Sequence, residues 1–150
     1  MKREEYRFSV RDFDSAQIFT CGQAFRWHLC PDGSWEGVVG GSAVRVQEEN
    51  GRLTVQTWGG SAGEAFWRRY FDLETDYGAL KKALAQKDVY LNEAVLCGAG
   101  IRLLRQEPFE TLISFIISAN NNIPRIAGCI EKLCRCYGKP IHGPGCSTFY

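Results

Sequence analysis

The chain has 150 residues, of which 45% are hydrophobic and 23% charged, the proportions of a folded globular protein rather than a disordered one. Its net charge of +1 lacks the basic excess of many free-standing DNA-binding domains, so a DNA-binding function has to be argued from motifs. No stretch approaches the roughly 20 apolar residues that span a membrane, so we expect no membrane insertion.

The cysteine count predicts a reducing compartment. Seven cysteines cannot all pair within one chain, and the charged residues 1–5 do not resemble a secretory signal, so we expect a cytoplasmic protein. Cys129, Cys134 and Cys136 share one predicted helix, but their spacing does not match that of a zinc site. We therefore expect reduced, mostly packed thiols, no metal site and no cofactor.

Residues 1–60 are predicted to form an antiparallel sheet. Apolar and polar residues alternate, as in half-buried strands, over residues 6–10, 23–29, 35–39, 43–46 and 53–57. Turn sequences separate these runs, namely Pro-Asp-Gly at 31–33, Gly-Gly at 40–41 and Asn-Gly at 50–51. Because the links are short and leave no room for helical crossovers, we expect a meander.

Helical patterns begin after residue 60. Ser61 and Glu64 have the spacing of a capping box, which predicts the start of the first helix. Apolar residues at helical spacing then predict helices around 77–84, 89–96, 109–119 and 123–137. Residues 139–146 are predicted as a loop, and residues 147–150 follow without a closing element. The fold class is therefore α+β. The helices carry apolar residues on more faces than their neighbours can cover, which indicates a fragment of a longer protein.

The segment Ser-Ala-Asn-Asn-Asn-Ile-Pro-Arg-Ile at residues 118–126 joins two predicted helices. One interpretation is a capped junction, with Asn122 as the N-cap and Pro124 in the first turn. The other is functional, because amide groups and Arg125 at a helix N-terminus supply donors and acceptors for phosphate or for base edges. These residues alone leave both interpretations open.

The segment Cys-Gly-Gln-Ala-Phe-Arg-Trp at residues 21–27 is the second candidate for a functional site. Its glycine marks a bend, or a place where a backbone carbonyl approaches a ligand closely. We expect Phe25 and Trp27 to face the core from one side of a strand and Arg26 to point the other way.

Three segments together resemble the 8-oxoguanine DNA glycosylases of the helix-hairpin-helix superfamily. They are residues 21–27, Arg-Leu-Leu-Arg-Gln-Glu-Pro at 102–108, and residues 115–126, in the order and spacing of that family. The resemblance implies a twisted antiparallel sheet domain with helices over residues 1–100. It also implies the start of an α-helical glycosylase domain over residues 101–150.

The resemblance implies roles for four residues. Gly22 is similar to the glycine whose carbonyl accepts the N7 hydrogen that oxidised guanine has and guanine lacks. Asn120 resembles the asparagine that fills the gap left by the flipped base and contacts the orphaned cytosine, and Arg125 resembles the arginine that recognises that cytosine. Asn121 belongs to the same motif in a local supporting role.

The family's reaction is removal of 8-oxoguanine opposite cytosine from double-stranded DNA by base flipping, followed by β-elimination at the abasic site. Its catalytic lysine and the assisting aspartate lie past residue 150 in family members, so we expect no catalytic residue here. The resemblance also implies a monomer when full length and a DNA-associated location, nuclear in a eukaryote. Two alternatives stay open: a non-catalytic DNA-binding module of the same fold, and an alkylated-purine glycosylase of the same superfamily.

Overall fold

The structure is a computed structural model that describes residues 3–60, 62–144 and 147–150. It has the predicted α+β class, with one sheet followed by a mainly helical part. Within the described residues the elements are β1 (Arg3–Ser9), α1 (Ser15–Thr20), β2 (Trp27–Leu29), β3 (Trp35–Val39), β4 (Ser42–Glu49), β5 (Arg52–Trp58), α2 (Glu64–Tyr70), α3 (Tyr77–Ala85), α4 (Val89–Cys97), α5 (Pro108–Ser118), α6 (Ile123–Tyr137), β6 (Ile141–His142) and β7 (Thr148–Phe149).

Two tight turns set the register of the central strands. The β3–β4 turn has Gly40 and Gly41 at its centre, and the β4–β5 turn has Asn50 and Gly51 there. The φ angles are +57° and +75° in the first turn and +51° and +71° in the second. Positive φ at both central residues is what a two-residue hairpin turn requires, so both predicted turns are confirmed.

The simple meander is wrong at its first strand. The strand order is β1-β5-β4-β3-β2, so β1 pairs with the last strand, as in the pairing of Tyr6 with Val55. Between β1 and β2 the chain forms α1, where Asp14 caps the helix by accepting a hydrogen bond from the Gln17 amide at 3.0 Å. The strand predicted from residue 23 begins only at Trp27.

The core lies between the sheet, α1 and α2. The Phe19 and Trp27 rings stack 4.1 Å apart, and Trp67 and Phe71 are fully buried beside them. Trp27 is in the core as expected, whereas Phe25 is only half-buried. Helix α2 does not begin at the predicted capping box: it starts at Glu64 with Gly63 at the N-cap, and Ser61 lies outside the described residues.

The later helices occur where the sequence predicts them, but they bury little. Helices α3, α4 and α5 contain no buried residue, and α6 buries only Ile126 and Ile130. Large apolar side chains of α5 stay exposed, among them Phe109 at 67% and Phe115 at 73%. The prediction that apolar faces of the helices remain uncovered is confirmed.

Two expectations about the last part of the chain are wrong. Ile141 and His142, predicted as part of a loop, form strand β6, which pairs antiparallel with β7 so that Ile141 lies opposite Phe149. The α6 thiols are free but not mostly packed, since Cys129 and Cys136 are exposed. None of the helices in the described part of the chain combines the length and apolar character needed to cross a membrane.

Candidate functional site

The junction between α5 and α6, residues 119–122, has the predicted capped geometry. The Asn122 side chain accepts a hydrogen bond from the Arg125 amide at 3.1 Å, which makes Asn122 the N-cap of α6. Pro124 lies in the first turn, where its missing N–H leaves no helical hydrogen bond unmade. The capping interpretation is therefore confirmed, and it fixes the positions of the other residues at the junction.

The two remaining asparagines of the junction differ in their contacts. Asn121 is half-buried, and its Nδ2 donates to the Ile117 carbonyl at 3.1 Å while its Oδ1 accepts from the Asn122 amide at 3.0 Å. Asn120 is exposed, has a φ of +51°, and makes no side-chain hydrogen bond within the described residues. Asn121 thus holds the turn together, whereas the amide of Asn120 is available to a ligand.

Arg125 is the cation of the junction. Its side chain is exposed and forms no ion pair or hydrogen bond within residues 3–60, 62–144 and 147–150. A positive charge in the first turn interacts unfavourably with the helix dipole, so helix stability does not account for its position. Arg125 and the helix N-terminus together offer donors and positive charge to a ligand that carries acceptors.

Gly22 lies against this junction although it is far away in the chain. Its φ is +88°, and a Cβ at this position would lie 3.3 Å from Cδ1 of Ile123, the first residue of α6. Side chains rarely adopt such a φ, so the backbone conformation requires glycine here. The structure thus brings Gly22 next to the start of α6, where Arg125 lies in the first turn and Asn120 and Asn121 immediately precede the helix.

Sequence reasoning assigned no role to Arg102, which fixes the segment before α5. Arg102 is only 4% exposed, and its guanidinium lies over the Tyr77 ring at 4.5 Å. It donates to the backbone carbonyls of Arg11 at 2.7 Å, Asp72 at 2.8 Å, Asp12 at 3.2 Å and Thr75 at 3.4 Å. Arg102 therefore holds the loop after β1 and the loop after α2 to the same point.

Gln23 is the second residue whose role was missed. Its side chain and its backbone carbonyl are hydrogen-bonded to residues 102–106, some 80 positions later. Because every partner of Arg102 and most partners of Gln23 lie far along the chain, no local pattern could have revealed these contacts. A polar side chain next to a glycine in a family-like segment was the only available signal.

A cavity beside residues 24–27 has none of the predicted site residues in its lining. This cavity of about 360 Å³ is lined by residues of β3, α2 and the start of α5. At its wall Arg26 approaches Glu110 at 3.7 Å, and it also donates to the Tyr150 carbonyl. Burial raises the pKa of Glu110, although the Arg26 charge opposes the shift. Arg26 thus ties the sheet part to α5.

The described residues bring no three His, Cys, Asp or Glu side chains together in a way that could hold a metal ion. At the junction itself, the exposed Asn120 amide and Arg125 guanidinium provide hydrogen-bonding groups and positive charge. A backbone carbonyl at Gly22, an amide at Asn120 and a guanidinium at Arg125 suit a ligand that presents both donors and acceptors. Nucleobase edges have that mixture of groups.

Comparison with known proteins gives the same family from sequence and from structure. The family model for the 8-oxoguanine DNA glycosylase, N-terminal domain, matches residues 5–112. The N-glycosylase/DNA lyase OGG1 of Arabidopsis thaliana is 29% identical over 118 residues, which cover 75% of this chain and 32% of the plant protein. The N-glycosylase/DNA lyase of Saccharomyces cerevisiae is 56% identical over 48 residues, covering 32% of this chain and 13% of the yeast protein.

Solved structures agree over the whole chain. The 8-oxoguanine glycosylase/lyase of Clostridium acetobutylicum, in a complex with double-stranded DNA containing cytosine opposite 8-oxoguanine, has a TM-score of 0.89 and 39% identity. That match covers 100% of this chain and 53% of the clostridial chain, and the apo form gives a TM-score of 0.86 at 38% identity, covering 99% and 53%. The chain spans about half the length of these structures and about a third of the plant relative. Since the family model matches well over half of its residues, the chain belongs to the 8-oxoguanine DNA glycosylase family, whose N-terminal domain it carries.

Proposed function

We propose that this chain is the N-terminal part of a DNA glycosylase that excises 8-oxoguanine opposite cytosine by base flipping and then cleaves the abasic site by β-elimination. The observation that carries the proposal is the placement of Gly22, at a φ of +88°, against the first residue of the helix that carries Arg125. Gly22 therefore lies close to the helix N-terminus that carries the exposed Arg125, which supports a shared binding surface for the lesion and the opposite cytosine.

Gly22 has the proposed role of recognising the lesion. 8-Oxoguanine carries a hydrogen on N7, and its recognition by a carbonyl oxygen is a single hydrogen bond that guanine cannot make. A site built to accept this hydrogen rejects guanine because its acceptor would be left unpaired. The absence of a Cβ on Gly22 lets a base approach the backbone closely.

Asn120 and Arg125 have the proposed role of binding the strand opposite the lesion. The Asn120 amide would fill the space that the flipped base vacates, and the Arg125 guanidinium would donate to the acceptor edge of cytosine. Both side chains are exposed and lack competing partners among the described residues, which supports these roles. Asn121 would support the turn through its bond to Ile117.

The rest of the proposal concerns the whole protein. The C. acetobutylicum structures match over about half of their length, and we propose that the remaining half of such a fold supplies the Schiff-base lysine and the assisting aspartate. We further propose a monomer that acts on DNA in the cytoplasm, or in the nucleus of a eukaryote. The division at residues 1–100 and 101–150 is supported by the core around Trp67, because Leu104 is its sole buried member among the described residues after 100.

Activity is tested with the full-length protein and with residues 1–150 alone. The full-length protein should excise 8-oxoguanine opposite cytosine and form a borohydride-trapped complex. Residues 1–150 should do neither, because we propose that the Schiff-base lysine lies in the later half. Trapping by residues 1–150 would contradict the assignment of catalysis to the later half. Binding without excision by the full-length protein would favour a non-catalytic module, and excision of alkylated purines alone would favour the related glycosylase.

The role of Arg125 is tested by Arg125→Ala in the full-length protein. Loss of a base contact costs about 1–3 kcal/mol of discrimination, so the preference for cytosine over adenine or thymine opposite the lesion should fall. Lys132→Ala is the matched control, because it removes an exposed charge from the same helix about two turns further on. If both variants weaken binding equally to the duplexes with cytosine, adenine and thymine opposite the lesion, Arg125 makes only a phosphate contact.

A further inference from the structure

Gln23, the residue after Gly22, pairs with a distant backbone segment through its side chain. Its Nε2 donates to the Arg102 carbonyl at 2.8 Å, and its Oε1 accepts from the Leu104 amide at 2.9 Å. This is the two-bond pattern by which a peptide group pairs with a neighbouring strand. Nε2 also lies 3.1 Å from the carbonyl of Ile18, near the end of α1, so the Gln23 amide joins three segments.

The backbone of Gln23 is held as well. Gln106 Nε2 donates to the Gln23 carbonyl at 2.5 Å. Gln106 lies just before α5, which begins at Pro108 and leads directly to the junction with Asn120. Both ends of Gln23, its side-chain amide and its main-chain carbonyl, are therefore bonded to residues 102–106.

These bonds bear directly on the carbonyl of Gly22. The Gly22 carbonyl and the Gln23 amide belong to one planar peptide unit, so fixing the backbone of Gln23 limits how that carbonyl can turn. Glycine by itself imposes little restriction on its own dihedral angles. The direction of the Gly22 carbonyl must therefore be set by its neighbours, and Gln23 is the neighbour with the most hydrogen bonds.

We propose that Gln23 and Gln106 are positioning residues that aim the Gly22 carbonyl at the lesion and so set the discrimination between 8-oxoguanine and guanine. This inference rests on the proposed role of Gly22. Discrimination by one hydrogen bond depends on the exact direction of the acceptor, and groups in such a site need support from the residues behind them.

The test uses Gln106→Leu and Gln106→Ala in the full-length protein, with Gln23→Leu as the more severe change. Two single-turnover rates are compared: excision of 8-oxoguanine opposite cytosine, and cleavage of a preformed abasic site opposite cytosine. An abasic site has no base to recognise, so its cleavage should keep the wild-type rate. The ratio of excision to abasic-site cleavage should fall about tenfold in the Gln106 variants, because small misplacements at a reactive site are costly.

Gln17→Leu is the matched control. The Gln17 amide makes the same kind of bonds to a distant backbone, with Nε2 donating to the Cys97 carbonyl at 3.4 Å and Oε1 accepting from the Gly100 amide at 2.9 Å. The Gln17 change should lower thermal stability and keep the ratio at its wild-type value.

The outcomes separate this inference from the proposed function. Wild-type excision with an unchanged ratio in the Gln106 variants overturns the inference and leaves the function intact. An equal fall of the ratio in the Gln17 control overturns it too, because the effect is then general loss of structure. Absence of excision by the wild-type protein overturns the proposed function and, with it, this inference.

Discussion

Replacing Gly22 with alanine tests the geometry on which the site depends. At a φ of +88° a residue with a Cβ occupies a sparsely populated conformation, which costs about 1–3 kcal/mol. The new methyl group would lie 3.3 Å from Cδ1 of Ile123, slightly closer than an ordinary contact. Because the Ile123 side chain is 48% exposed and can turn aside, this contact should add only about 1 kcal/mol or less.

Gly33→Ala separates the two contributions. Gly33 has a similar φ of +81°, but a Cβ there would meet no heavy atom within 4 Å. Chemical denaturation should show that backbone strain lowers the unfolding free energy of both variants by about 1–3 kcal/mol. Adding Ile123→Ala to the Gly22→Ala variant should remove the steric contact with the new methyl group and leave the backbone strain at residue 22.

Function provides the sharper contrast between the same two variants. In the full-length protein Gly22→Ala should slow excision of 8-oxoguanine about tenfold or more, because strain and contact both move the carbonyl that we propose as the acceptor. Gly33→Ala should excise at the wild-type rate, since the added Cβ meets no heavy atom within 4 Å and Gly33 is not among the proposed site residues. The reasoning is refuted if Gly22→Ala has wild-type stability and excision, or if Gly33→Ala slows excision equally.

Two further predictions concern the N-cap of α6 and the partly buried carboxyl of Glu110. Asn122→Ala should lower the unfolding free energy by about 1 kcal/mol because α6 loses its N-cap, whereas Asn122→Asp should keep most of the wild-type stability. Equal denaturation midpoints for the wild type and both variants would contradict this. Burial raises the pKa of Glu110 above its ordinary value, so the folded state binds this proton more tightly and stability should fall as pH rises through the raised pKa. Glu110→Gln should weaken that fall, and identical pH dependence of the wild-type and variant unfolding free energies between pH 4 and 7 would count against it.

The parts of the fold that the sequence predicts are those with local causes. The Asn-Gly and Gly-Gly turns follow from the positive φ that two residues must adopt together, and Asn122 is an N-cap because of a hydrogen bond to a residue three positions away. The α6 helix follows from apolar spacing over four turns. None of these features needs information from elsewhere in the chain.

The missed features have non-local or very short causes. Helix α1 has six residues, too few for an apolar period to show, and its cap Asp14 resembles any loop aspartate. The pairing of β1 with β5 rather than with β2 depends on which edge of the sheet is left open to β1 once the core has packed. The resemblance indicated the residue types at Gly22 and Arg125, but the contact of Gly22 with Ile123 could be found only in three dimensions.

The distribution of buried side chains indicates that the two parts of this chain differ in stability. Strand β4 buries Val44 and Val46 completely, whereas α5 buries nothing and exposes 73% of Phe115. One fully buried Val contributes about 1.5–3 kcal/mol to stability. In residues 1–150 the free energy of the openings that allow amide hydrogen exchange should therefore be at least about 2 kcal/mol lower in α5 than in β4.

Substitutions test the same partition of stability. Val44→Ala should lower the global unfolding free energy by about 1–3 kcal/mol, because it leaves a cavity in the core. Phe115→Ser should change it by about 0.5 kcal/mol or less in residues 1–150, because the ring is already in water. If the later half covers α5 in the full-length protein, Phe115→Ser should lower the unfolding free energy there several times more, because the substitution then removes the ring from a packed interface. Two results in residues 1–150 would together contradict this partition of stability between the sheet core and the exposed face of α5. They are equally slow hydrogen exchange in β4 and α5, and a large loss of unfolding free energy in Phe115→Ser.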